Sequence, residues 1–73
     1  MIAVLGAGES GVGAALLAQK KGLTVFVSDF GQIKEPYQKE LSDKGIEWEQ
    51  GTHTEERILA ADILIKSPGI PET

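Results

Sequence analysis

The 73-residue chain contains no cysteine. Disulfides and thiolate metal sites are therefore excluded, and a domain this close to the lower size limit for a single core must rest on packing alone. The only histidine, His53, has no cysteine or second histidine nearby, so no metal site is expected and His53 reads as solvated loop. No apolar run approaches the roughly 20 residues that span a bilayer. The opening Met1-Ile2-Ala3-Val4-Leu5 also lacks the basic flank of a signal peptide, so a cytoplasmic chain with no membrane partner is expected. Positive charge is short as well: seven basic residues face eleven acidic ones, for a net charge of −4. Nucleic acid is excluded as a partner, because backbone binding needs concentrated Lys and Arg. An anionic ligand would have to be held locally, by oriented backbone amides. There is no GxxxxGK[ST] loop and no nucleophile-base pair, so no catalytic residue is assigned.

With 41% hydrophobic and 25% charged residues, the chain has the composition of one ordered α/β domain over residues 1–73. Ile2-Ala3-Val4-Leu5 is a short apolar run stopped by glycine, as in a strand covered on both faces. From about Gly11 to Lys21 the sequence is apolar almost all round, which predicts a well-buried helix closed by Gly22. Thr24-Val25-Phe26-Val27 predicts a second buried strand ending in Ser28-Asp29. After a loop from Phe30 to about Glu35, Pro36 starts a surface helix with Tyr37 and Leu41 on one face. Ile46-Glu47-Trp48-Glu49 alternates as an edge strand does, with Trp48 read as packing. Thr52 or Thr54 then caps a short helix whose Ile58 and Leu59 face inward, and Ile63-Leu64-Ile65 forms a fourth strand. Regular alternation predicts a Rossmann-like parallel sheet with right-handed crossovers, strand order 3-2-1-4 and helices on both faces. The chain runs only just past the fourth strand, where a doubly wound fold continues, so it reads as a fragment of a larger multidomain protein.

Gly6-Ala7-Gly8-Glu9-Ser10-Gly11 is a GxGxxG between a strand and a helix, the context that gives this pattern meaning. The first glycine makes a tight turn, the second admits a diphosphate to the backbone, and the third allows helix to pack closely on strand. Gly13 and Ala15 are read as keeping that face of the helix small. Amides at the helix start form an anion site, to which Ser10 adds a hydroxyl and Glu9 its backbone, its carboxylate turned to solvent. Asp29 ends the second strand, 18 positions after Gly11, where a carboxylate accepts ribose hydroxyls or a base N–H; the alternative is a loop carboxylate that caps local amides. These features alone equally suit the NAD- or FAD-binding half of an oxidoreductase, or a nucleotide-sensing regulatory domain.

Ala61-Asp62, a strand, and Ser67-Pro68-Gly69-Ile70-Pro71 resemble the matching signature of the Mur ligases. Gly6 to Ala15 is similar to the D-glutamate-adding members of that family, particularly Bacteroidetes forms. The resemblance covers essentially the whole chain. It implies an amino-terminal domain that holds the UDP part of UDP-N-acetylmuramoyl-L-alanine, while ATP, Mg and D-glutamate are handled by domains absent here. No cofactor is then expected within these residues. By the same resemblance Gly8, Glu9, Ser10 and Gly11 lie at the diphosphate, Asp29, Phe30 and Gly31 at the uridine, and Ser67, Pro68 and Gly69 at the opposite wall. One pair of residues departs from the family, whose members often carry Thr-Arg or a similar polar pair after the aspartate where this chain has Phe30-Gly31. Phe30 either stacks on the base or is simply an exposed or core-packed side chain.

Overall fold

The computed structural model describes residues 1–66, which form four strands alternating with three helices. In order these are β1 (Ile2–Leu5), α1 (Glu9–Lys20), β2 (Val25–Asp29), α2 (Glu35–Asp43), β3 (Glu47–Gln50), α3 (Glu55–Leu59) and β4 (Ile63–Lys66). All pairings are parallel and the strand order is β3-β2-β1-β4, as the alternation predicts. Val4 stands opposite Val27 on one side and Ile65 on the other.

The central strands β1 and β2 are covered on both faces where they are apolar, whereas the apolar run of edge strand β4 leaves Ile63 and Leu64 exposed. Side chains alternate across β1 and β2. Ile2, Val4, Val25 and Val27 point to one face, where Val12, Ala15 and Ala18 of α1 and Leu41 of α2 complete the main core. Each large side chain so buried contributes about 1.5–3 kcal/mol. Ala3, Phe26 and Ser28 take the other face, also fully buried. There α3 crosses the sheet, with the Arg57 guanidinium 3.8 Å from the Phe26 ring centroid and 3.1 Å from the Glu47 carboxylate. Helices thus lie on both faces. Among the described residues, no helix is long and apolar enough to cross a membrane.

Several local expectations are corrected. Helix α1 begins at Glu9, two residues before the expected Gly11, because the Gly8 carbonyl already accepts the Val12 N–H at 2.9 Å. Only Gly11, Val12, Ala15 and Ala18 are buried along it, and Leu17 is 57% exposed. Strands β1 and β2 cover one side of this helix, so an apolar sequence all round does not mean burial all round. Gly13 lies on the open side and leaves the close packing to Ala15. Leu59, expected to face inward, is 81% exposed; a five-residue helix turns only Arg57 and Ile58 part-way to the sheet. Trp48 packs against the core from edge strand β3, as expected, and gives its Nε1–H to Ser42 Oγ at 3.0 Å. Gly22 closes α1 with φ +85°, a conformation that L side chains rarely adopt.

Gly13 gives the fold a direct test. It sits inside a helix, and a Cβ built there meets nothing within 4 Å. Gly13→Ala is expected to raise stability by about 0.5–1 kcal/mol, measured by urea denaturation, because alanine loses less backbone entropy on folding. Destabilisation would mean that this face of α1 is packed.

Candidate functional site

Three loops meet at the carboxyl ends of β1, β2 and β3, the edge at which open parallel sheets bind ligands. The first is the glycine loop. Gly6 turns the chain with φ +96°, and Gly8, in extended conformation, caps α1 without a side chain. The first helical bond is donated by Val12, so the amides of Gly8, Glu9, Ser10 and Gly11 have no acceptor among the described residues. Four such donors at a helix start, with the helix dipole, can hold an anion. Ser10 is exposed beside them and Gly11 is buried in the helix. Glu9 is exposed at the mouth of the cleft.

Asp29 joins this loop to the next. Its Oδ2 accepts the Ala7 N–H at 2.9 Å and its Oδ1 accepts the Gly31 N–H at 2.9 Å. The carboxylate therefore caps backbone amides, the alternative left open by the sequence. Each oxygen keeps a second lone pair, so a ribose hydroxyl or base N–H can still be accepted. Its backbone carbonyl and that of Gly31 both accept the Gly51 N–H at 2.9 Å, which ties in the loop after β3. Phe30 is 71% exposed and does not pack in the core. Ser67, Pro68 and Gly69 lie outside the described residues.

A cleft of about 330 Å³ lies against the glycine loop, lined by Ala7, Gly8, Glu9, Asp29, Gln32, Lys34 and Tyr37. Gln32, Lys34 and Tyr37 were not expected there. Lys34 is the one basic residue between Lys21 and Lys39, a weak signal that becomes informative only once α2 brings it beside the loop. A larger depression of about 650 Å³ between α2 and Trp48 contains neither the loop amides nor Asp29, and we give it no role in binding.

His53 is also misread by the sequence. It is half-buried, with Nδ1 2.5 Å from the Oγ of fully buried Ser28 and its ring 5.4 Å from that of Phe30. The Ser28 hydroxyl also stands 2.8 Å from Glu49 Oε2. Glu49 in turn accepts the Thr54 backbone N–H at 2.7 Å and its hydroxyl at 2.5 Å. Thr54, the residue at the start of α3, makes no side-chain cap of its own, and the β3 carboxylate supplies the acceptor instead. Partial burial alone would raise the Glu49 carboxyl, but the bonds from Thr54 and Ser28 and the nearby His53 outweigh it and hold the group below the ordinary 4.5.

A match to the family model described as the MurD N-terminal domain extends over residues 1–73. The chain belongs to that family. It is 65% identical over 72 residues to the UDP-N-acetylmuramoylalanine--D-glutamate ligase of Porphyromonas gingivalis, covering 99% of this chain and 16% of that protein. It is 61% identical over 70 residues to the ligase of that name from Bacteroides fragilis, covering 96% and 16%, and 58% identical over 71 residues to that of Cytophaga hutchinsonii, covering 97% and 16%. The chain thus spans about one sixth of the length of these curated relatives.

Two measurements test the site. Gly8 has φ −79°, and a Cβ there meets nothing within 4 Å, so Gly8→Val leaves the turn unstrained and costs at most about 1 kcal/mol as a poorer N-cap. Pyrophosphate binding, followed by calorimetry, is expected to weaken at least tenfold, or about 1.4 kcal/mol. Unchanged binding in a normally melting variant would place the anion elsewhere. For Glu49, a depressed folded value means that its stabilisation is complete above about 4.5 and disappears as pH falls through the lower folded value. Glu49→Gln should therefore flatten the acid limb of the stability curve below that pH, with the neutral-to-alkaline limb unchanged in shape; an unaltered acid limb would show that the network contributes nothing there.

Proposed function

We propose that this chain holds the UDP part of UDP-N-acetylmuramoyl-L-alanine in an ATP-dependent ligase that adds D-glutamate during peptidoglycan precursor synthesis. The observation that carries the reading is the set of amides from Gly8 to Gly11 that have no acceptor among the described residues, bridged by Asp29 to an exposed loop at Phe30 and Gly31. Membership of the MurD N-terminal domain family and the printed names of its relatives support this ligand over other diphosphates. The amides take the diphosphate, Asp29, Phe30 and Gly31 meet the uridine, and Ser67, Pro68 and Gly69 form the opposing wall.

The chemistry belongs to the complete protein, which we place in the cytoplasm. ATP and Mg²⁺ are assigned to parts outside these residues, since the sequence has no loop for a γ-phosphate and, among the described residues, no three carboxylate or imidazole groups converge on a metal position. The reaction implied is activation of the muramoyl-alanine carboxylate as an acyl phosphate, followed by attack of the D-glutamate amine. The role of this chain is to bind and orient, fixing where that carboxylate is presented.

Titration of the chain with UDP and with NAD, followed by amide NMR, tests the ligand. UDP should shift residues 6–13 and 29–31 together, while NAD should shift only the first group. Affinity in the millimolar range is expected, because losing one or two hydrogen bonds to absent walls costs about 1–3 kcal/mol. Tighter, saturable NAD binding that also moves Asp29 would overturn the reading in favour of a dinucleotide domain.

A further inference from the structure

We propose that His53 is a specificity-determining residue, accepting a ring N–H from the bound base and so favouring uracil over cytosine. The proposal rests on the UDP reading above and concerns a residue outside the glycine loop and Asp29. Three groups surround the Ser28 hydroxyl: Glu49 Oε2 at 2.8 Å, the Thr52 carbonyl at 3.2 Å and His53 Nδ1 at 2.5 Å. A hydroxyl has one proton to give. The carboxylate and the carbonyl can only accept, so that proton goes to one of them and Nδ1–H donates to Ser28 Oγ. In the neutral imidazole this leaves Nε2 bare, as an acceptor.

Nε2 makes no hydrogen bond among the described residues, and no unpartnered side-chain nitrogen or oxygen there is buried, so Nε2 opens to solvent. With Nδ1 anchored on a fully buried serine, the lone pair points outward. Beside it stands the exposed ring of Phe30, next in sequence to the aspartate that touches the diphosphate loop. An exposed apolar ring and an outward acceptor together fit a planar heterocycle that offers a ring N–H. Uracil has such an imide proton. Cytosine, at neutral pH, presents a lone pair at the same ring position and would meet Nε2 lone pair to lone pair.

The test compares UDP, CDP and pyrophosphate on the chain and on His53→Asn, in which the asparagine N–H can still reach Ser28 but the outward acceptor is gone. UDP should bind the unaltered chain roughly five- to tenfold more tightly than CDP, the effect of about one hydrogen bond. In His53→Asn the ratio should fall to about one through weaker UDP binding, with pyrophosphate unaffected. Equal binding of UDP and CDP to the unaltered chain, both tighter than pyrophosphate, overturns the role of His53 and leaves the nucleotide reading standing. A preference retained in His53→Asn does the same. If neither nucleotide binds better than pyrophosphate, both readings fall. Nitrogen-15 spectra of the imidazole give an answer independent of the variant. A bare Nε2 that shifts with UDP and not with CDP supports the proposal, and a proton on Nε2 with a bare Nδ1 overturns it.

Discussion

The carboxyl edge of the sheet is organised around one side chain. Asp29 accepts amide protons from the glycine loop at Ala7 and from its own loop at Gly31, while its carbonyl receives the Gly51 amide from the loop after β3. Charge-assisted bonds to backbone amides are stronger than neutral ones, and here they join segments whose strands are already fixed by parallel pairing. The amides of Gly8 to Gly11 are useful for binding only if the turn before them is held still. Asp29 supplies that restraint from the neighbouring strand, which makes it a structural anchor even where it also serves a ligand.

An anion site in an acidic chain is a question of distance. The net charge is −4, and Glu9 and Asp29 stand at the cleft. Beyond a Debye length of about 8 Å, exposed charges are largely screened at physiological salt, so the overall charge matters less than the groups that touch the ligand. Gly8 and Glu9 at the start of α1, whose amides have no acceptor among the described residues, and Lys34 line the same cleft. Local geometry thus outweighs composition.

The two faces of the sheet do different work. One is an apolar core under α1 and α2, which accounts for most of the buried side chains. The other is thinner, and its buried Ser28 is satisfied by Glu49 and His53 in place of further packing. Glu49 extends that network to the start of α3, and Ser28 on the neighbouring strand links this carboxylate to His53. A polar network of this kind fixes a loop in one arrangement because an unpaired member would be costly.

The sequence by itself determined the elements, the parallel sheet and the glycine loop. Each of these is written in local patterns: apolar runs in β1 and β2, alternation at Ile46 to Glu49, and glycines spaced between a strand and a helix. It also placed Gly8, Glu9, Ser10, Asp29, Phe30 and Gly31 in the region where three loops meet. Only the tertiary structure decided how Asp29 spends its lone pairs, which side of α1 and α3 is covered, that Lys34 lines the cleft and that His53 is held by Ser28 beside Phe30. The reason is separation along the chain. Asp29 and Ala7 are 22 residues apart and Ser28 and His53 are 25 apart, so no local period can signal either contact. Parallel strands need long crossovers, and the pairs they bring together exist only once the sheet has formed.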